Sequence, residues 1–190
     1  MVSRVLGIIP ARADSKRIPR KNIRLLCGAP LIAYTIRAAQ ASSRLTDYVV
    51  STDDTEISNI AKSYGAKVVM RPPASDDQTS GEVIKHILDN ADFHYDMICL
   101  LHPTSPIRDP KHIDQAIDML AASDAPALAS VSCNKRSYTH NASIYVIKRE
   151  NFTGRHFWDE SIPFLMDRRH SLDIDTEDDF KIAELYLTNG

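Results

Sequence analysis

Residues 12–24 hold six cations, Arg12, Lys16, Arg17, Arg20, Lys21 and Arg24, against one acid, Asp14, in a chain whose net charge is −2. They follow an apolar run directly. Several cations on a tight loop at a strand end suit a polyphosphate, because the backbone N–H groups and the next helix N-terminus add to the attraction. Near the other end, "SLDIDTEDDF" (residues 171–180) offers Asp173 and Asp175. Two positions apart on a strand, they would share one face, and Mg²⁺ takes one or two carboxylates together with substrate phosphates. Each feature also has a plainer reading. A charge run can be a solvated turn, although Pro19 inside it argues for a fixed loop. Asp175 can be a helix N-cap, with Glu177, Asp178 and Asp179 favouring the positive helix end. G-x-x-x-x-G-K-[ST] and G-x-G-x-x-G are both absent, which excludes a P-loop NTPase and a dinucleotide fingerprint.

The elements that must position these residues alternate along the chain. Apolar, β-branched runs predict strands over residues 4–10, 47–51, 67–70, 96–102, 127–132 and 142–147. Helical spacing predicts helices over 30–42, 53–65, 81–91, 110–123 and 176–187. In the second of these, Asp53 reads as N-cap with Glu56 three residues on, and Gly65 falls just past the end. The alternation predicts a mostly parallel sheet with helices on both faces, in one domain over residues 1–190. Ligands in such sheets bind beyond the carboxyl ends of the strands, where the basic loop must lie.

Composition narrows the class. Apolar residues make up 43% of the chain and charged residues 25%, as expected of a soluble globular protein. The small net charge argues against a general nucleic-acid binder, so the anion site is local. Cys27, Cys99 and Cys133 are odd in number and show no C-x-x-C, which argues against a disulfide framework or a cysteine zinc site. The histidines have no metal-site spacing. No apolar run approaches a membrane span or a signal peptide, so a cytoplasmic location is expected.

"IIPARADSKRIPRKN" (residues 8–22) resembles the N-terminal signature of the acylneuraminate cytidylyltransferases, the CMP-sialic acid synthetase family. Its "SKRIPRKN" is most similar to pseudaminic-acid-type members. "VVSTDDTEISNIAKSYGAKVVMRP", "LLHPTSPIRDPKHI" and "SLDIDTEDDF" follow in the family's order and spacing. The resemblance implies a three-layer, Rossmann-like mixed sheet of the nucleotide-diphospho-sugar transferase type. It implies Mg²⁺-dependent transfer of CMP from CTP to an acidic sugar, a nonulosonic acid such as a sialic or pseudaminic acid, with release of pyrophosphate. By the same resemblance Arg12, Ser15, Lys16 and Lys21 would hold the triphosphate, with Asn22 near the nucleotide. Arg71 and Ser80 would lie near base and ribose, and Asp173 and Asp175 would bind metal. Arg12, Lys21 and Asp175 would carry catalysis. His102, where the family often has glutamine, and Arg108 would meet the acceptor.

Taken residue by residue, Arg71 could equally be a surface arginine, Ser80 a helix N-cap, His102 a strand-end histidine satisfied by backbone, and Arg108 a turn residue. Two departures from the family stand out. Ala13 and Asp14 replace the usual glycines, so the phosphate cradle is expected to differ. "CNKRSYTH" (residues 133–140) replaces a longer excursion that carries dimer contacts and part of the acceptor pocket. A monomer, or a dimer unlike the usual one, is therefore expected. The alternatives are a cytidylyltransferase for Kdo or another small acid, and a nucleotide-binding protein with lost or reduced catalysis.

Overall fold

The first strand, β1 (Val5–Ala11), points Val5, Ile9 and Ala11 to one face of the sheet and Leu6 and Ile8 to the other, all of them buried. Both faces are therefore covered, as a central parallel strand requires. The computed structural model describes residues 3–15, 17–73, 78–90, 94–134, 137–154 and 160–189. After β1 come β2 (Leu25–Leu26), β3 (Ala29–Pro30), α1 (Leu31–Ala41), β4 (Asp47–Thr52), α2 (Thr55–Ser63), β5 (Lys67–Met70), α3 (Ser80–Asp89) and β6 (Met97–Leu101). The remainder is α4 (Pro110–Ala121), β7 (Ala127–Asn134), β8 (Ser137–Lys148), β9 (Ser161–Met166) and α5 (Glu177–Thr188).

Seven strands form one sheet in the order β5-β4-β1-β6-β8-β7-β9. The pairs β1–β4, β1–β6, β4–β5 and β7–β9 are parallel, while β8 runs antiparallel to both its neighbours. The sheet is mixed and mostly parallel, as expected. Ile32 and Ile36 of α1, Ile57 of α2 and Ile117 of α4 pack on one face. Val83, Ile84 and Ile87 of α3 pack on the other. A third cluster joins Ile18 of the basic loop to Leu26, Leu31, Ile107, Ile174 and Phe180 of α5. It pins the loop and the C-terminal segment to the same block.

Several local expectations are corrected. β9 was not anticipated, nor was the small hairpin of β2 and β3. The segment 133–140 is no separate connection, because β7 and β8 pair as far as Cys133 with Tyr138 and Asn134 with Ser137. The N-cap of α2 is Asp54, whose carboxylate accepts from the Ile57 N–H at 2.8 Å, and not Asp53. Gly65 does follow α2 at φ 82°, the left-handed stop that glycine allows.

Candidate functional site

Each of four adjacent parallel strands is followed at once by a polar residue of the site. Arg12 follows β1, Asp53 follows β4, Arg71 follows β5 and His102 follows β6. A cleft of about 470 Å³ opens there. Among the described residues its walls carry Arg12, Arg17, Lys21 and Arg71 against one carboxylate, Asp175. Ser15, Asn22, Ser80 and His102 also line it. The positive charge expected of the basic loop is thus focused in one concave place.

The structure divides the loop's cations between two tasks. Arg20 takes a left-handed backbone (φ 56°) and reaches α2, pairing with Asp54 at 2.8 Å and with Glu56. Arg24 pairs with Glu177 at 2.5 Å and lies over the Phe180 ring, 4.4 Å from its centroid. These two fix the loop to the helices on either side. Arg12, Arg17 and Lys21 face the cleft. Lys16 lies outside the described residues. Neither Ala13 nor Asp14 has positive φ, so the cradle does not need glycine at either position.

Asn22 is buried and donates its side-chain amide to the Arg12 carbonyl at 3.0 Å, so it shapes the loop as well as lining the cleft. Arg71 is no surface arginine. It is 7% exposed, donates to Gln78 at 2.5 Å and lies 3.7 Å from Asp53. Burial pushes its pKa down, Asp53 opposes this, and nearby Arg12 adds to it. Ser80 is not a cap, since Thr79 is the N-cap of α3 in a reciprocal capping box with Glu82. Ser80 is the first residue of the helix and faces the cleft at its positive end.

The acidic segment is not a strand. Residues 172–175 lie in neither helix nor strand and are anchored by the buried Ile174, whose N–H donates to the Thr104 carbonyl at 2.8 Å. Asp175 lines the cleft, where Arg17 (2.6 Å) and Lys21 (3.3 Å) meet its two oxygens. It is not the cap of α5 either. Thr176 is, in a capping box with Asp179. Asp173 does not line the cleft and instead borders a second cavity beside β7, β9 and α5. Its Oδ1 is buried and has no partner among the described residues. Burial pushes its pKa up, a Thr104 hydrogen bond opposes this, and the negative Asp175 adds to the rise. A desolvated, orphaned carboxylate oxygen within electrostatic reach of a second carboxylate fits a hard divalent cation. Among the described residues no group of three or more His, Cys, Asp or Glu side chains could hold a metal ion, so the remaining ligands would come from elsewhere.

The two acceptor candidates part company. Arg108 is 4% exposed, and its guanidinium donates to the Ser143 hydroxyl (3.1 Å), the Ser143 carbonyl (2.6 Å) and the His102 carbonyl (2.9 Å). It braces the sheet from inside and does not line the cleft. His102 does line it, with its Nε2 buried and unpartnered among the described residues. Burial, with positive Arg108 and Lys21 nearby, pushes its pKa down to about 4. Its imidazole is neutral at physiological pH, able to donate from one nitrogen and accept at the other.

Sequence reasoning counted Arg17 among the loop's cations without a role of its own, and missed the Gln78–Thr79 lip of the cleft and Asp53, which binds the Ala13 N–H and lies beside Arg71. The signal for Asp53 was its place immediately after a parallel strand, the same place that marks Arg12, Arg71 and His102.

A cation-walled cleft at the carboxyl ends of parallel strands defines an α/β protein built to take a polyanion. The chain belongs to the cytidylyltransferase family, whose model matches residues 6–186. It is 33% identical to an N-acylneuraminate cytidylyltransferase of Escherichia coli, over 96% of this chain and 52% of that one. The chain thus spans about half of that relative's length. It is also 33% identical to a CMP-N,N'-diacetyllegionaminic acid synthase of Legionella pneumophila, over 95% of each chain. These alignments run over 218 and 220 positions against a chain of 190 residues, so both relatives carry residues with no counterpart here. Among solved structures, a CMP:2-keto-3-deoxy-manno-octonic acid synthetase complexed with CTP shares the fold. Its TM-score is 0.80 at 16% identity, over 98% of this chain and 99% of that one.

Proposed function

We propose that this chain transfers CMP from CTP to a nonulosonic acid and releases pyrophosphate. The observation that carries the reading is the wall of Arg12, Arg17, Lys21 and Arg71 facing Asp175 at the strand ends, in a member of the cytidylyltransferase family. The relatives named for N-acylneuraminate and diacetyllegionaminic acid support a sugar acid of that class as acceptor.

In the reaction a sugar hydroxyl oxygen bonds to the α-phosphorus, the bond from that phosphorus to the bridging oxygen breaks, and the hydroxyl proton is released. Charge builds on the α-phosphoryl oxygens and on the departing pyrophosphate. Arg12 and Lys21, with Ser15 and Lys16, would hold that charge, and prepositioned cations are effective at this. Ser80 and Arg71 stand at the end suited to ribose and base. His102 offers a neutral imidazole to a hydroxyl of the acceptor. Asp175, with Asp173 behind it, would hold a Mg²⁺ ion, which when bound neutralises phosphate charge. Among the described residues no helix is long and apolar enough to cross a membrane. A cytoplasmic setting suits an enzyme consuming CTP, and the buried Cys99 thiol suits a reducing compartment.

Pyrophosphate release from each of the four common NTPs, with Mg²⁺ and a panel of sugar acids including Kdo, tests the proposal. Release that requires both CTP and a nonulosonic acid is expected. Preference for Kdo would reassign the acceptor, and no release from CTP with any acid would overturn catalysis.

A further inference from the structure

Arg12 and Ala13 share one peptide bond, and both of its polar groups are held by buried side chains from other parts of the chain. The Arg12 carbonyl accepts from the Asn22 side-chain amide at 3.0 Å. The Ala13 N–H donates to Asp53 Oδ1 at 2.9 Å. Asn22 is 6% exposed, and the Asp53 side chain 7%. A peptide unit gripped at both ends cannot rotate about its flanking bonds, so the direction in which Arg12 leaves the backbone is set. The other oxygen of Asp53 lies 3.7 Å from Arg71 Nη1. One buried carboxylate therefore links the start of the phosphate loop to the cleft-lining arginine that follows β5.

We propose that Asp53 is a positioning residue which, together with Asn22, clamps the Arg12–Ala13 peptide and so holds Arg12 and Arg71 at a fixed separation for a nucleoside triphosphate. This rests on the proposed nucleotide site. Three features argue that the clamp serves the ligand. A cap for α2 is already supplied by Asp54. Buried carboxylates are costly unless paired and hydrogen-bonded, and Asp53 sits beneath two cations that repel each other when the cleft is empty. Residues 12–14 lie outside helix and strand, so no regular backbone ladder fixes this peptide, and side-chain hydrogen bonds do so.

The test compares Asp53→Ala, Asp53→Asn, Asn22→Ala and the double alanine variant by two readouts. Hydrogen exchange of the Ala13 amide in the free protein reports the clamp without nucleotide, and calorimetry with CTP reports its consequence. Asp53→Ala and Asn22→Ala should each speed Ala13 exchange and weaken CTP binding by at least about tenfold. Asp53→Asn keeps an acceptor oxygen and should stay within about threefold of wild type in exchange, which a general loss of stability would not produce. The double variant should be no more than about threefold worse than the poorer single, because both side chains hold one peptide. The idea is overturned if Asp53→Ala folds and leaves exchange and affinity unchanged. It is equally overturned if Asp53→Asn is as damaging as alanine, or if the two losses multiply in full. Should Asp53→Ala not fold, Asp53→Asn and Asn22→Ala still decide. If wild type takes no CTP while the exchange pattern holds, the clamp stands and the nucleotide reading falls.

Discussion

Lys21 donates its ammonium to the Ile174 carbonyl at 2.6 Å, closing a contact between residues 153 positions apart in the chain. The same ammonium meets Asp175 at 3.3 Å. The basic loop and the acidic segment, which the sequence presents as separate features, are two walls of one cleft joined by this lysine.

Lys21→Ala and Arg12→Ala should both weaken CTP binding at least about tenfold, since each removes a charged hydrogen-bond donor worth roughly 1.5–3 kcal/mol. They should differ in stability. Lys21→Ala also strips a partner from the Ile174 carbonyl and should lower the melting temperature, whereas Arg12→Ala should leave it nearly unchanged. Calorimetry with CTP and a thermal melt read both effects. Unchanged affinity in both variants rejects the triphosphate assignment.

Asp175 and Thr176 should separate cleanly. Thr176 caps α5, so Thr176→Ala should cost about 1 kcal/mol of stability and leave most activity in place. Asp175→Asn should leave the melt within a degree or two and abolish most turnover, with Mg²⁺ dependence weakened. An Asp175→Asn protein that turns over normally at the wild-type Mg²⁺ requirement removes Asp175 from the metal site.

These assignments show where sequence was legible. The strands with β-branched runs, such as Val5–Ala11 and Met97–Leu101, and the capped amphipathic helices could be read because pattern and burial agree there. "SIPFLM" hid as β9 because Pro163 and its polar flanks look like a loop, and only pairing with β7 makes it a strand. Asp53 and Asp54 are equally able to cap α2, and the choice is made by the Ala13 N–H, a group 40 positions away in the chain. The same one-residue ambiguity made Asp175 an alternative cap for α5, a place that Thr176 takes. "DID" alternates like a strand but finds no partner strand, and its two carboxylates border different cavities. Arg108 read as an acceptor contact or a turn residue because its own acceptors, at His102 and Ser143, come together only in the fold.

Arg108→Ala should fail through the fold and not through the acceptor. Removing a buried guanidinium strips a donor from the Ser143 carbonyl and hydroxyl and leaves the His102 carbonyl with only its longer 3.4 Å contacts to Thr35 and Ser105, a loss of about 3 kcal/mol or more. The denaturation midpoint should drop sharply, and any folded fraction should keep its KM for the sugar acid. A normal midpoint with a raised KM would return Arg108 to the acceptor site.

His102 gives a pH signature. Its folded pKa is lowered to about 4, against about 6.5 in an unfolded chain. Between these values the unfolded state binds a proton that the folded state refuses, so stability falls as pH drops below about 6.5 and levels off below the folded pKa. At pH 5 the loss attributable to His102 is up to about 2 kcal/mol. His102→Gln should lack it. Urea midpoints at pH 7.5 and pH 5 check this, and an equal acid loss in both proteins would show that His102 is not the group responsible.

The hairpin of β7 and β8 governs the last expectation. Relatives carry residues absent here, and the segment 133–140 continues the two strands up to the Asn134–Ser137 pair instead of leaving the sheet. A paired ribbon of this length cannot bury the ~800 Å² per partner of a standard interface. Its most apolar outward residue, Tyr138, is 63% exposed. The protein should therefore be monomeric, or should dimerise through another surface. Tyr138→Ser should leave its mass by light scattering unchanged from low to high micromolar concentration. If the residues absent here wall the acceptor in the relatives, CTP affinity should be ordinary while discrimination among sugar acids is relaxed, read as kcat/KM ratios across the panel. A concentration-dependent dimer that Tyr138→Ser dissociates, with sharp acceptor preference lost at the same time, would show that the hairpin itself builds both the interface and the missing wall.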